Sequence, residues 1–422
     1  MATAEETENV MADDTGFVIV GASLAGAKAA ETLRAEQFNG PVVLIGTEDE
    51  RPYERPPLSK DYLLGKAERD KIYVHPEDWY ASNDVDLRRG VTVTGIDRAA
   101  RTVTLGDGSQ LPYGKLLLTT GSAPRRLPVP GADLDGVLYL RTAADSDKLK
   151  DSFTSGARIV VIGAGWIGLE ATAAARAAGA GVTVLETAEL PLLRVLGREV
   201  AEVFAGLHRE NGVDLRFGVQ VAEITGAGGK ASGVRLGDGT QIPADTVVVG
   251  VGISPRVGLA EQAGLDVDNG IKVDAGLRSS DPDVYAAGDV ANAFHPLLGK
   301  HIRVEHWANA VNQPQTAAKS MLGQNVAFDR VPYFFTDQYD LGMEYSGYVE
   351  PGGYAQVVFR GDVPGREFVA FWLDGAGRVL AGMNVNVWDV NEQVQALVRS
   401  GHPVDPDALR DPGRPLDSLA GP

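Results

Sequence analysis

Two glycine clusters carry the first chemical signal. Gly163-x-Gly165-x-x-Gly168 follows the apolar run Arg158-Ile159-Val160-Val161-Ile162 and opens an Ala-rich stretch. In such a turn Gly163 allows the tight bend, Gly165 lets the backbone approach a pyrophosphate, and Gly168 allows close helix–strand packing. The helix start then presents free N–H groups to phosphates. The next apolar run, Gly181-Val182-Thr183-Val184-Leu185, ends at Glu186, 18 residues after Gly168. A carboxylate there can accept hydrogen bonds from both ribose hydroxyls of NAD and would repel the 2′-phosphate of NADP. Arg194 lies nearby, so a phosphate partner stays open. Strand, turn, helix and acid in register predict a dinucleotide site.

The second cluster, Gly21-Ala22-Ser23-Leu24-Ala25-Gly26, puts Ser23 where the middle glycine belongs. Serine is small enough for a phosphate still to approach. A hydrolase nucleophile elbow would need its closing glycine one residue earlier than Gly26. The strand that follows ends at Gly46-Thr47-Glu48, where Glu48 is either a ribose ligand or a solvated surface acid. Two such folds in one chain suggest one NAD and one FAD. Arg278-Ser279-Ser280-Asp281-Pro282-Asp283-Val284-Tyr285-Ala286-Ala287-Gly288-Asp289 reads as a turn, a short strand and a Gly-Asp pair at a helix start. Asp289 there is a helix cap or a ligand of ribityl hydroxyls, and the pair of nucleotide folds favours the flavin. The histidines His295, His301 and His306 are spaced six and five apart, which fits no helical or ribbon ligand pair, so no metal is expected.

The elements that must hold these residues repeat. Each glycine cluster sits between two continuous apolar strands, the first pair being residues 17–20 and 41–45, with a helical stretch between. This pattern predicts parallel sheets covered on both faces. After each unit come Val/Leu runs around Gly106-Asp107-Gly108 and Gly237-Asp238-Gly239, which are hairpin turns. Two later runs, Leu116-Leu117-Leu118-Thr119-Thr120-Gly121 and Thr246-Val247-Val248-Val249-Gly250-Val251-Gly252, also end in glycine. Thr120, Gly121 and Gly252 are therefore candidate nucleotide contacts. From residue 328 the chain turns aromatic and antiparallel, with strands expected at 356–360, 367–373 and 378–385. An amphipathic helix follows, with Val390, Val394, Leu397 and Val398 on one face and Gly401 past its end. The Pro- and Asp-rich tail from His402 is expected to be surface-bound or loose.

Composition narrows the class. The 422 residues include no cysteine, so no disulfide, thiolate nucleophile or cysteine-held metal centre exists in the chain. The formal charge of −18 argues against binding to nucleic acid or anionic membrane. No apolar run approaches the roughly 20 residues of a membrane span. Residues 1–15 are acidic, lack an apolar signal core and read as a disordered leader. A cytoplasmic, soluble protein is expected.

On these motifs the chain resembles the FAD- and NAD-dependent ferredoxin reductases of bacterial oxygenase systems, across residues 16–400. The most specific stretch is Arg51-Pro52-Tyr53-Glu54-Arg55-Pro56-Pro57-Leu58-Ser59-Lys60. Tyr139-Leu140-Arg141-Thr142, Ile167-Gly168-Leu169-Glu170, Gly288-Asp289, Val304-Glu305-His306-Trp307 and the 332–339 segment add to it. The resemblance implies an α/β fold of two Rossmann-like dinucleotide-binding domains, arranged as in glutathione reductase, plus a C-terminal α+β domain. The expected divisions are 16–121 with 248–327 for FAD, 122–247 for NAD, and 328–422 for the last domain.

By the same resemblance Ala25, Thr47, Lys60, Val93, Arg141, Asp289 and Trp307 line the FAD site, and Arg55 touches its pyrophosphate. Gly21, Ser23, Gly26 and Glu48 belong to that site, and Ile167 to the NAD site. Lys60 and Glu170 are the implied catalytic pair, near flavin N5 and the nicotinamide; the plainer reading of Lys60 is a solvated loop residue, against which the stiff Pro56-Pro57 approach argues. Phe335 stands where several relatives carry Trp. The implied activity passes electrons from NADH through FAD, one at a time, to a 2Fe-2S ferredoxin that serves a haem monooxygenase or ring-hydroxylating oxygenase. An NADH oxidase or quinone/monodehydroascorbate reductase, or a redox-sensing flavoprotein without turnover, remain alternatives. A monomer or weak homodimer is expected. Such ferredoxins are acidic, so docking on a chain of charge −18 would need a local basic patch, with Lys300, Arg303 and Lys319 as candidates.

Overall fold

A computed structural model describes residues 16–421, so the expected leader at 1–15 lies outside the described residues. The chain forms two compact units. The first holds the described residues up to Glu54, together with Arg69–Ala123 and Ser254–Arg330. The second holds Arg55–Glu68, Pro124–Ile253 and the chain from Val331 onward.

In the first unit a five-stranded parallel sheet runs in the order Val284–Ala286, Lys115–Leu118, Phe17–Val20, Val42–Ile45, Val85–Arg88. Its three central strands are apolar on both faces because both are covered; Ile19, Leu44 and Leu117 are fully buried. The first strand turns at Gly21 into the helix Leu24–Ala35. The Gly106-Asp107-Gly108 turn joins strands Thr102–Leu105 and Gln110–Pro112, as its composition predicts.

The second unit repeats the plan. Its parallel sheet runs Asp214–Phe217, Gly181–Glu186, Arg158–Ile162, Thr246–Val249, Val137–Leu138. The helix Trp166–Ala177 follows its first glycine turn. The repeat extends to steric detail. A Cβ on Gly21 would lie 2.2 Å from the Thr119 carbonyl oxygen, and one on Gly163 would lie 2.4 Å from that of Gly250. Both glycines have positive φ, +121° and +100°. A Cβ on Gly26 would lie 2.1 Å from the Gly21 oxygen, and one on Gly168 2.1 Å from the Gly163 oxygen. The same two backbone approaches are thus built twice, and no side chain fits either.

The second unit also contains a five-stranded antiparallel sheet in the order Tyr333–Gln338, Leu341–Gly347, Val379–Val385, Glu367–Leu373, Gln356–Asp362. One apolar core joins it to the nucleotide-type sheet: Phe334, Met343 and Trp372 pack in the same cluster as Leu169, Val184 and Phe204. The Trp372 indole donates to the Leu196 carbonyl at 2.9 Å, so its buried N–H is satisfied. The helix Asn391–Ser400 ends at Gly401, which is left-handed at φ 60°. The tail is held in place. Leu409 and Leu416 are buried, and the Arg360 guanidinium donates to the carbonyls of Asp411 and Arg414 at 2.7 Å each.

One expected element is corrected. Gly288-Asp289 does not open a helix; Gly288–Val290 is a single 3-10 turn, and Ala291–His295 continues as a strand. Pairing on both sides, with Ile271–Val273 and Lys300–Ile302, overrides the helix preference of that segment. Among the described residues no helix is long and apolar enough to cross a membrane.

Candidate functional site

In the second unit the glycine turn and its helix form an open cradle. Gly165 caps the helix at φ −80° and ψ −178°, is exposed, and has no atom within 4 Å of where a Cβ would stand. Space and free N–H groups coincide there, which is what a pyrophosphate requires. Ile167 is exposed beside it. Glu186 ends the adjoining strand; its Oε2 accepts from the Ala164 amide at 2.7 Å and its Oε1 from the Ala188 amide at 2.9 Å. The Thr187 hydroxyl also donates to Oε1, at 3.0 Å, so the strand end and the glycine turn fix the carboxylate and leave Oε2 room to accept from a ribose hydroxyl. Arg194 is exposed on the short helix Leu193–Leu196. Gly252 is exposed at φ +96°, and its carbonyl accepts from the Arg125 amide.

The same unit buries an ion pair. Pro56–Ser59 form a 3-10 turn that opens on two prolines. The turn is pinned to the helix Ala143–Ser152: Ser146 Oγ donates to the Leu58 carbonyl at 2.8 Å, and Tyr62 donates to Asp147 at 2.5 Å. Lys60 follows directly. Its Nζ lies 2.8 Å from Glu170 Oε1, with side-chain exposures of 13% and 3%, so Lys60 is not a solvated loop residue. Glu170 stands in the second turn of the helix that the cradle opens. It also accepts from Ser59 Oγ, and from Thr336 Oγ1 at 2.5 Å. The Phe335 ring centroid is 5.3 Å from the Lys60 ammonium. Arg55 donates to the Arg141 carbonyl, while Arg141 and Thr142 are set by the capping box that Thr142 and Asp145 build at the Ala143 helix.

In the first unit Ser23 occupies the helix cap, and its hydroxyl makes no capping bond. Ala25 and Gly26 are buried behind it. Thr47 is exposed past the second strand, and Glu48 accepts from the Tyr53 hydroxyl. Val93 packs into the core. Thr120 donates to the Arg256 carbonyl and Gly121 accepts from the Arg256 amide, both at 2.9 Å. Gly288, at φ +79°, donates its amide to Gln313 at 2.9 Å. Asp289 is half-buried beside it, and its carbonyl accepts from Arg303 at 3.3 Å. Trp307, also half-buried, opens the helix Trp307–Met321. Burial pushes the neighbouring His306 imidazole down to about 4, against the opposing pull of Asp289. The first cradle thus repeats the backbone approaches of the second, with Asp289 half-buried beside Gly288.

Sequence reasoning did not single out Ser59 and Thr336 as partners of Glu170. Both lie inside the quoted motifs, but only the fold shows which acid they reach. The three histidines do not converge: His295 bonds the Arg330 carbonyl at 2.9 Å, His301 is exposed, and His306 caps a helix. No group of three His, Cys, Asp or Glu suited to a metal occurs among the described residues. Arg303 pairs with Glu305 and Lys319 with Glu36, so these candidate docking cations already face acids of their own.

Two nucleotide cradles and a buried Lys–Glu pair define a pyridine-nucleotide flavoprotein. Residues 15–314 match the family model of the pyridine nucleotide-disulphide oxidoreductases, and residues 333–420 match the reductase C-terminal model. The chain is 42% identical over 399 residues to the ferredoxin–NAD(+) reductase component of the anthranilate 1,2-dioxygenase system of Burkholderia cepacia, covering 94% of this chain and 97% of that one. It is 38% identical to putidaredoxin reductase of Pseudomonas putida, over 95% of this chain and 96% of that one. The solved covalent putidaredoxin reductase–putidaredoxin complex superposes with a TM-score of 0.92 at 38% identity, covering 96% of this chain and 97% of that one. The chain belongs to the pyridine nucleotide-disulphide oxidoreductase family, among the ferredoxin–NAD(+) reductases, and is an oxidoreductase that uses FAD and NAD(H).

Proposed function

We propose that this protein takes electrons from NADH through FAD and delivers them singly to a 2Fe-2S ferredoxin, which feeds a haem monooxygenase or ring-hydroxylating oxygenase in the cytoplasm. Residues 16–121 and 248–327 hold the FAD, residues 122–247 hold NAD(H), and residues 328–422 form the third domain. When bound, FAD supplies the conversion between a two-electron donor and a one-electron acceptor. The chain supplies orientation and charge.

The buried Lys60–Glu170 pair carries this reading. Glu170 lies five residues past Gly165, so the helix rise puts it about 7 Å along the axis from the phosphate cradle. That is the neighbourhood of a nicotinamide whose pyrophosphate rests on Gly165. Lys60 places a positive charge where electron density accumulates on the flavin, and Glu170 holds that charge in position and keeps the nicotinamide in register. Arg55 would touch the FAD pyrophosphate, Arg141 would line the FAD site, and Asp289 would take the ribityl hydroxyls. Glu186 takes the adenosine ribose of NADH.

NADH-driven cytochrome c reduction with a panel of 2Fe-2S ferredoxins tests donor and acceptor together. Cytochrome c reduction that no ferredoxin accelerates would reject the proposal. The same assay across ionic strength tests docking: a basic patch requires a rate that falls with salt.

A further inference from the structure

Behind Glu170 a line of polar side chains crosses an otherwise apolar core. Thr336, Gln338 and His208 are each no more than 1% exposed. Thr336 and Gln338 are two apart on the strand Tyr333–Gln338 and so face the same side. His208 comes from the helix Arg198–Glu210, among Phe204, Ala205 and Leu207. Burying these groups is costly unless every one is paired. Every one is. His208 Nε2 lies 2.8 Å from Gln338 Oε1, Gln338 Nε2 lies 3.3 Å from Thr336 Oγ1, and Thr336 Oγ1 lies 2.5 Å from Glu170 Oε1. At the far end the Tyr339 hydroxyl is 3.3 Å from His208 Nδ1.

The protons in this line can be placed. An amide oxygen only accepts, so His208 carries its proton on Nε2, and its Nδ1 accepts from Tyr339. An amide nitrogen only donates, so Thr336 Oγ1 accepts from Gln338 and its single proton is left for Glu170. Lys60 has only donors to offer. Every hydrogen in the chain therefore points toward Glu170, and the arrangement closes without conflict when that carboxylate is ionised. Burial pushes His208 down to about 4, which keeps the ring neutral as this arrangement requires.

We propose that Thr336, Gln338 and His208 are positioning residues for the reaction: a one-directional hydrogen-bond chain that delivers a donor to the Glu170 carboxylate and keeps it aimed at Lys60. The dipoles along it reinforce one another. An amide link does not readily pass protons, so the chain orients and does not conduct. It also gives the antiparallel C-terminal sheet a chemical task, since Thr336 and Gln338 both come from it. The inference rests on the assignment of Lys60 and Glu170 to the nicotinamide and flavin.

Four variants and a reference decide it. Thr336→Val removes the hydroxyl and Thr336→Ser restores it. His208→Leu removes the ring donor, and His208→Gln puts an amide donor near the Nε2 position. Glu170→Gln is the reference. Anaerobic stopped-flow spectroscopy separates the limiting rate of flavin reduction from the NADH dissociation constant. Thr336→Val is expected to lower the limiting rate about tenfold, the worth of one charge-assisted hydrogen bond at the low end, with NADH affinity unchanged. Thr336→Ser and His208→Gln are expected to return near the wild-type rate. In the FAD-loaded protein, 15N NMR of the histidine rings, assigned through His208→Gln, should show His208 neutral and protonated on Nε2 at pH 7.

A His208 protonated on Nδ1 or on both nitrogens would overturn the chain. So would a wild-type limiting rate in Thr336→Val when Glu170→Gln is slow, and that result would leave the role of Glu170 standing. A wild-type rate in Glu170→Gln would instead overturn the catalytic assignment and the chain with it. If His208→Leu does not fold, the Thr336→Val and Thr336→Ser rates decide between these outcomes.

Discussion

Gly165 and Gly168 stand three residues apart in one motif, yet the structure predicts opposite consequences for the same substitution. In Gly168→Ala the new Cβ would stand 2.1 Å from the Gly163 oxygen and 3.2 Å from its carbonyl carbon. That is backbone, and about an ångström or more inside van der Waals contact, so helix and strand must separate. Overpacking of this kind costs about 1–3 kcal/mol, and the better helix propensity of alanine returns up to about 1. A net loss of about 1–2 kcal/mol lowers the melting temperature of a domain of this size by about 2–8 °C. In Gly165→Ala the Cβ meets no atom within 4 Å, and the backbone at φ −80° accepts any residue. Stability should hold or rise by about 0.4–1 kcal/mol, because the unfolded chain loses freedom. The methyl group instead occupies the space above the helix start that the pyrophosphate needs. Its insertion should weaken binding by about 1–3 kcal/mol, or about five- to 150-fold. Thermal melts and calorimetric titration with ADP-ribose, the redox-inert part of NADH, measure both quantities. FAD affinity reports on the other cradle and should stay constant in Gly165→Ala. Wild-type ADP-ribose affinity in Gly165→Ala, or a melting temperature below that of Gly168→Ala, would refute the reasoning.

Three further outcomes are expected. Glu186→Ala should weaken NADH more than NADPH, measured as the ratio of kcat/KM values; equal losses would remove the ribose role of Glu186. Lys60→Met should slow flavin reduction and, by leaving a buried carboxylate without its cation, destabilise the second unit by about 3–5 kcal/mol in denaturant unfolding. His208, held near 4 when folded, should make stability depend on pH. As pH falls below about 6.5 the unfolded chain takes up a proton that the folded ring refuses until about 4. Its share of stability is therefore whole above pH 6.5 and is lost, by up to about 3 kcal/mol, between 6.5 and 4; His208→Gln should flatten that part of the curve.

The two cradles were legible in the sequence because their requirements are local. Gly21, Gly26, Gly163 and Gly168 are dictated by backbone approaches within one strand–turn–helix unit, and the apolar runs on either side announce a sheet covered on both faces. The partners of Glu170 were not legible. Ser59 and Thr336 are 111 and 166 positions away from it, and a hydroxyl carries no periodic signature of which carboxylate it will reach. His208 is the extreme case. On its helix it looks like one polar residue on an apolar face, and only Gln338, 130 positions on, explains it. The misread segment was Gly288-Asp289. Ala-rich residues beyond it favour a helix locally, but pairing with two neighbouring strands takes them instead.

The absence of cysteine acquires a sharper meaning from the geometry of the Arg55–Lys60 loop. A dithiol relay needs a thiolate that can be attacked and can leave, and this chain has no thiol anywhere. The loop does something else. Its prolines stiffen the 3-10 turn, Ser146 and Tyr62 fasten it, and Ser59 and Lys60 both close on one buried acid. A side chain held by that many contacts cannot swing to carry a group from one place to another; it can only hold a charge still. A fixed charge suits electron transfer, where stabilisation must already be in place when the electron moves. The loop therefore belongs to a reductase whose electrons leave the flavin for an external acceptor without a covalent intermediate on the protein.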